Sequence, residues 1–376
     1  MDDARSVRRP CAREWAPAKV NLFLAVGPRR SDGYHDLLTV FETVPIRDLV
    51  EVEVRPTGLD RGWSYRVRPA GSARDQSVAA AGLPLDLDNL AGKAAARFVT
   101  AMPDRLGQAG AGAGQAGAGA GAGQSRVGAA SEIVPPGEIS VTIDKRIPIA
   151  AGLGGGSSDA AALLRGLQRA LGHPLAPETL LEVAGRLGSD VPFFLRGGRA
   201  VGRSRGEDLA SLPREPRLPL VLGLPSFPLN TPDVYGEFDR LAQPDEAKSG
   251  GPLAAWARRE EDLSVFLEVL AAGNLCGLAA CLRNDLRAAA ISLRPEIGSV
   301  LEALRRAGCL GAEVSGSGPS VFGLAPSLEA AADAARASRA CLPAELRDLF
   351  IFRPVLSGTD CDSVLSGTAL SGMGSE

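Results

Sequence analysis

Cysteine pairs, long apolar runs and surplus positive charge are all missing from this sequence, and each absence excludes a class of protein. The six cysteines, Cys11, Cys276, Cys281, Cys309, Cys341 and Cys361, form no CxxC pair and no small disulfide framework, so reduced thiols in a cytoplasmic protein are the expectation. No stretch approaches the roughly 20 apolar residues of a membrane helix, and the Arg-rich start, Met1 to Trp15, lacks the apolar core of a secretory signal. With a formal net charge of −3 and a pI near 5.7, the chain offers no general positive field to nucleic acid or to an anionic membrane. An anionic ligand must therefore be held by local groups. Lysine is scarce too: only Lys19, Lys93, Lys145 and Lys248 stand among 41 Lys plus Arg, which makes the position of each informative.

What is present is ordinary globular composition, 45% hydrophobic and 23% charged, in 376 residues, enough for two domains. Ala16 to Val26 alternates as a strand, with Leu49 to Val54 and Tyr65 to Val67 as further strands, and Asn89 to Met102 carries helical spacing. Residues 107–124 are almost wholly Gly, Ala and Gln, which cannot repay chain ordering, so a flexible insert spanning about 23 Å is expected. Ile139 to Ile143 alternates again, a glycine loop leads into a helix ending near Leu171, and Glu178 to Leu187 is a second helix stopped by Gly188. Beyond the proline-rich boundary at 213–219 come helices at Leu263 to Leu270, Asn274 to Leu282 and Ser299 to Ala307. Strands are expected there at Leu218 to Leu222, Ala312 to Ser315 and Val321 to Leu324. The pattern is α+β in two lobes, 15–212 and 213–355, followed by a Ser/Gly-rich tail, 356–376, expected to fray.

Four segments carry chemistry. In AGLGGGSSDAAA, 151–162, four glycines and two serines run straight into a helix, so backbone N–H groups and the helix dipole can together cradle an anion. A glycine-rich helix cap is the alternative. Asp190, in GSDVPFF, sits between a helix end and an apolar run, placed either to accept a proton or to serve as a turn residue. Lys19 interrupts an apolar strand, and SGSGPS at 315–320 forms a tight turn between two strands that could approach a ligand.

Taken together, AKVNLFL at 18–24, GYHDL at 33–37, AGLGGGSSDAAA, GSDVPFF and SGSGPSVF resemble the GHMP kinase superfamily in wording and in order. The match runs from about Trp15 to Val355, apart from the insert. The resemblance implies an N-terminal lobe like the ribosomal-protein S5 fold, a C-terminal α+β lobe, and both ligands bound between them. It implies that Asp190 is the general base and that Lys19 favours the emerging alkoxide, with Asn21 on the same strand face positioning the hydroxyl or γ-phosphate. Ala151, Gly152, Leu153, Gly154, Gly155, Gly156, Ser157 and Ser158 would hold ATP, with Lys145 beside the adenine and Mg²⁺ bound through the nucleotide; no protein metal ligand is assigned. Tyr34 and Tyr235 would sandwich a cytosine, His35 would hydrogen-bond it, and Thr231 lies close by, so the substrate implied is a diphosphocytidyl methylerythritol. Nucleic acid and membranes are not expected partners.

Two rivals remain at this level. One is a homoserine or mevalonate kinase of the same superfamily, which has no need of GYHDL with Tyr235; the other is a ligand sensor that keeps the fold without catalysis, against which Asp190 and Lys19 both stand. Three features depart from the family pattern: the Gly/Ala/Gln insert, the tail, and an Arg-rich loop, GRSRGEDL at 202–209.

Overall fold

The computed structural model describes residues 11–57, 62–70, 83–102, 137–242 and 252–357. The insert expected at 107–124 and the tail beyond residue 357 lie outside them.

The N-terminal half begins with two long strands, β1 (Cys11–Arg29) and β2 (His35–Pro56), joined by the short turn that contains Gly33 and Tyr34. They pair antiparallel, with register shifts beside Ala18 and Phe23. Strand β3 (Ser64–Pro69), helix α1 (Leu90–Ala101) and strand β4 (Gly137–Asp144) follow, then helices α2 (Gly155–Ala170), α3 (Pro177–Leu187) and α4 (Val191–Arg196), and strands β5 (Arg199–Arg203) and β6 (Asp208–Leu212). Asn89 starts α1 by accepting the Ala91 N–H on its side chain at 2.9 Å. The strands expected at 16–26 and 49–54 are the inner parts of β1 and β2, which extend well beyond the alternating segments. Both faces of the β1 centre are buried, because α2 covers one and the second lobe covers the other. A strand covered on both sides keeps no outward polar row to mark its ends.

The second half contains β7 (Pro219–Pro225), α5 (Thr231–Ala242), α6 (Pro252–Ala271), α7 (Leu275–Cys281), the two-residue β8 (Arg283–Asn284), α8 (Arg287–Leu293) and α9 (Glu296–Arg306). Strands β9 (Gly311–Val314) and β10 (Val321–Leu324), helix α10 (Leu328–Cys341) and strand β11 (Phe350–Leu356) complete it. Among the described residues the second lobe's sheet has four antiparallel strands in the order β11-β7-β10-β9. The first has seven, β3-β4-β2-β1-β8 with β5 attached to β2 and β6 to β5, so one strand comes from the other half of the chain. Phe23 and Leu24 of β1 pair with Arg283 and Asn284 of β8.

The halves are therefore not independent. Val20, Leu22, Leu222, Phe266 and Phe322 belong to one buried cluster that spans both sheets. At the crossing, Arg199 is 2% exposed, pairs with the buried Glu42, and donates to the carbonyls of Pro213, Glu215 and Pro216.

Candidate active site

A cleft of about 930 Å³ opens between the lobes, and residues from β1, β2, α2, α5 and the two glycine turns line it. Lys19 projects from β1 into this cleft, and its backbone N–H donates to Leu153 O at 3.0 Å, tying the strand to the glycine loop. Its ammonium donates to Asn21 Oδ1 at 2.5 Å; Asn21 Nδ2 donates to Thr39 Oγ1 at 2.8 Å, and Thr39 donates to Phe23 O at 2.9 Å. This chain fixes the ammonium 3.7 Å from Asp190 Oδ2. Burial pulls the Lys19 pKa down, and the Asp190 charge opposes that pull. Asn21 thus spends both ends of its amide on Lys19 and Thr39.

Asp190 directly precedes α4, but its side chain makes no capping bond to that helix. Pro192 takes a first-turn position where no N–H is needed. The carboxylate is left to face Lys19 and the cleft, 30% exposed.

The glycine loop works as its residue types demand. Gly152 and Gly154 adopt φ of +76° and +70°. A Cβ on Gly152 would lie 2.4 Å from Ser315 O, because the second glycine turn packs directly on the first. Ser315 Oγ donates to Gly152 O at 3.1 Å and the Ser320 N–H donates to Ala151 O at 3.1 Å. Buried Asn284 holds that second turn, donating to the carbonyls of Val314 and Gly316 at 2.8 and 2.7 Å. Among the described residues helix α2 has no side-chain cap, its first residues Gly155, Gly156 and Ser157 line the cleft, and the space a Cβ would take at Gly156 is open.

Beneath the loop lies a buried trio. Lys145 donates to Asp48 and, at 2.8 Å, to Asp159 Oδ2; Asp48 also accepts the N–H groups of Arg146 and Ile147. Two carboxylates share one ammonium. Burial, supported by the Asp48 charge against the pull of Lys145, pushes the Asp159 carboxyl up to about 8. Lys145 is 4% exposed and still lines the cleft.

At the far end, Tyr34 is 57% exposed with the Arg205 guanidinium 5.2 Å from its ring centre. His35 is buried, with Nδ1 3.0 Å from Gly27 O and Nε2 3.1 Å from Asp239 Oδ1. The Tyr235 ring lies 5.5 Å from the His35 ring, and Thr231 Oγ1 lies 2.9 Å from Ser317 Oγ. Burial raises the Tyr235 phenol pKa, with Asp190 adding to the shift, so the hydroxyl stays neutral.

The fold brings every site residue expected from the sequence to this cleft except Ser158, which turns inward, wholly buried and, among the described residues, with no partner for its hydroxyl. Sequence reasoning passed over Asp159, Asn284, Asp239 and Arg205. Asp159 stands inside the glycine motif and Arg205 inside the Arg-rich loop, so both had a local signal. Asn284 and Asp239 had none, because only tertiary packing brings them to the site.

Residues 120–198 match the family described as GHMP kinases N terminal domain, and residues 266–344 match GHMP kinases C terminal. The chain is 40% identical over 325 residues to 4-diphosphocytidyl-2-C-methyl-D-erythritol kinase of Thermobifida fusca, covering 86% of this chain and 90% of that protein. It is 37% identical over 323 residues to the enzyme of that name in Corynebacterium glutamicum strain R, covering 86% and 87%. Among solved structures, a 4-(cytidine 5'-diphospho)-2C-methyl-D-erythritol kinase superposes with a TM-score of 0.61 at 31% identity, over 93% of this chain and all of that one. A homoserine kinase from Cytophaga hutchinsonii superposes at 0.64 with 19% identity over 94% and 96% of the two chains, a likeness of fold alone.

Proposed function

Because this chain belongs to the 4-diphosphocytidyl-2-C-methyl-D-erythritol kinases of the GHMP kinase family, we propose that its cleft moves the γ-phosphate of ATP to the substrate's 2-hydroxyl through Asp190 and Lys19. The chain is a phosphotransferase of non-mevalonate isoprenoid biosynthesis, acting on an alcohol. The observation that carries the division of labour is the Lys19 to Asp190 pair at 3.7 Å, in the cleft that the first residues of α2 also line.

In this reading Asp190 Oδ takes the hydroxyl proton, the freed oxygen attacks the γ-phosphorus, and the bond from that phosphorus to the bridging oxygen breaks to release ADP. Lys19, 3.7 Å from Asp190, lowers the energy of the forming alkoxide. Asn21 acts on the substrate through Lys19, whose ammonium it orients, since its own amide is already engaged. Residues 151–157 and the α2 N-terminus receive the β- and γ-phosphates by backbone N–H groups, while Lys145 stiffens the floor below.

Mg²⁺ enters with the nucleotide in this scheme. Among the described residues no cluster of three His, Cys, Asp or Glu could hold a metal alone, and Asp159 is tied to Lys145. Ser157, which lines the cleft, would offer the loop's own oxygen to an ion carried by the triphosphate. When bound, the ion supplies neutralisation of phosphate charge.

The cytosine lies against Tyr34 and Tyr235, with His35 and Thr231 beside it. Stacking of one base is worth about 1 to 3 kcal/mol at comparable nucleic-acid sites, so Tyr34→Ala or Tyr235→Ala should raise KM for the cytidyl substrate roughly 5-fold to 150-fold and leave KM for ATP in place. The broader test is ADP release from ATP with a panel of the diphosphocytidyl substrate, mevalonate, homoserine and galactose. Turnover of any alcohol other than the first as the best substrate would refute the assignment.

A further inference from the structure

We propose that Arg205 is a specificity-determining residue that binds the diphosphate of the cytidyl substrate; the inference rests on the assignment of the Tyr34 end of the cleft to the cytosine. Arg205 sits in the turn between β5 and β6, flanked by Ser204 at φ +61° and Gly206 at φ +106°. That turn is fastened to the β1–β2 hairpin that carries Tyr34. The Leu37 N–H donates to Ser204 O at 2.6 Å, and Arg30 donates to Ser204 Oγ at 3.3 Å. Glu207 orients the side chain, accepting from the Arg205 backbone N–H at 2.9 Å and from Nε at 3.1 Å.

Among the described residues this leaves the two terminal amino groups of Arg205 without a protein acceptor, at the cleft wall and beside the Tyr34 ring. The other cleft cations are differently placed. Lys19 is committed to Asn21 and Asp190, and Lys145 is buried between Asp48 and Asp159. Arg29 is two-thirds exposed and lies 3.9 Å from Asp239. A substrate whose cytosine meets Tyr34 and whose hydroxyl meets Asp190 must run its diphosphate between them, and the chain as a whole is acidic. A guanidinium held by Nε presents its remaining N–H pair as a planar fork, which matches two phosphate oxygens. This gives the Arg-rich loop a purpose that the transfer chemistry alone does not.

The test separates diphosphate binding from support of the Tyr34 ring. Titration calorimetry of the full chain with cytidine diphosphate and with cytidine would be compared in wild type, Arg205→Gln and Arg205→Lys. Loss of a charge-assisted pair predicts roughly tenfold or greater weakening of cytidine diphosphate in the Gln variant, with cytidine changed less than about twofold. The Lys variant should fall between, keeping the charge without the fork, and KM for ATP should not follow. Equal weakening of both ligands would mean that Arg205 only steadies Tyr34, and an unchanged affinity for cytidine diphosphate would remove it from the site; either result overturns the proposal. If wild type binds neither nucleoside, the cytosine assignment beneath it fails instead.

Discussion

At the residue scale, the proposed base and its cation make separable predictions. Asp190→Asn preserves shape but cannot take a proton, so kcat should fall about 100-fold or more while ATP binding, measured by calorimetry, stays within twofold. Retained kcat would remove Asp190 from proton transfer. Lys19 must be protonated to serve the alkoxide, and burial lowers its pKa from 10.5, so activity should be lost on the alkaline side before an ordinary lysine would titrate. A pH–rate profile with no decline below 10.5 would contradict this. Asp159 makes a stability prediction instead. Its folded pKa of about 8 lies above the ordinary 3.8, so the folded state holds the extra proton. The stability it contributes is complete below about pH 4 and lost as pH rises through 8. Asp159→Asn, which leaves Asp48 paired with Lys145, should flatten the decline of Tm between pH 5 and 9.

At the element scale, the glycines of one loop answer to different constraints. Gly152 has a positive φ and no room, since a Cβ would meet the Ser315 and Gly318 carbonyls at 2.4 and 2.7 Å. Gly156 has no positive φ and faces open space in the cleft. Gly152→Ala should therefore lower Tm and perturb both glycine turns. Gly156→Ala should leave Tm within a degree or two and raise KM for ATP, because the added methyl occupies room meant for a phosphate. Thermal melts with and without ATP distinguish the pair; an equal loss of Tm in both would show that the loop is shaped by packing alone. The same scale explains Asn284. A two-residue strand would be marginal by itself, yet it adds to β1 next to Phe23 and lets one amide hold the turn that carries Gly316.

At the scale of the whole molecule, the cleft depends on how the lobes are joined, and the joint contains a buried charge pair. Glu42 and Arg199 are both nearly inaccessible, and burial raises the Glu42 pKa against the opposing pull of Arg199 and Ser357. Arg199→Met would strand Glu42 without its partner and release the carbonyls of Pro213, Glu215 and Pro216, at a cost of about 3 to 5 kcal/mol. Pairing it with Glu42→Leu should recover part of that loss in denaturant unfolding. Strictly additive losses would mean that the pair is not what anchors the crossing. The shared core behind it makes the boundary near residue 213 a change of sheet rather than a break between separately folding units.

The sequence by itself determined the parts whose chemistry is local. Four glycines before a helical stripe specify a tight turn into a helix, and alternating or 3.6-spaced apolar residues specify β4, β10, α1 and α2 with nearly correct limits. Ordered motifs also made the family legible. Only the tertiary structure decided that Lys19 meets Asp190 across 170 intervening positions of chain, that Lys145 is an internal cation, and that Ser158 faces inward. It alone decided that β8 completes the opposite lobe's sheet and that Arg205 lies over Tyr34. The physical reason is common to these cases: the energy of a buried charge or a two-residue strand is set by neighbours that packing supplies, and such neighbours leave no periodic mark in their own stretch of sequence.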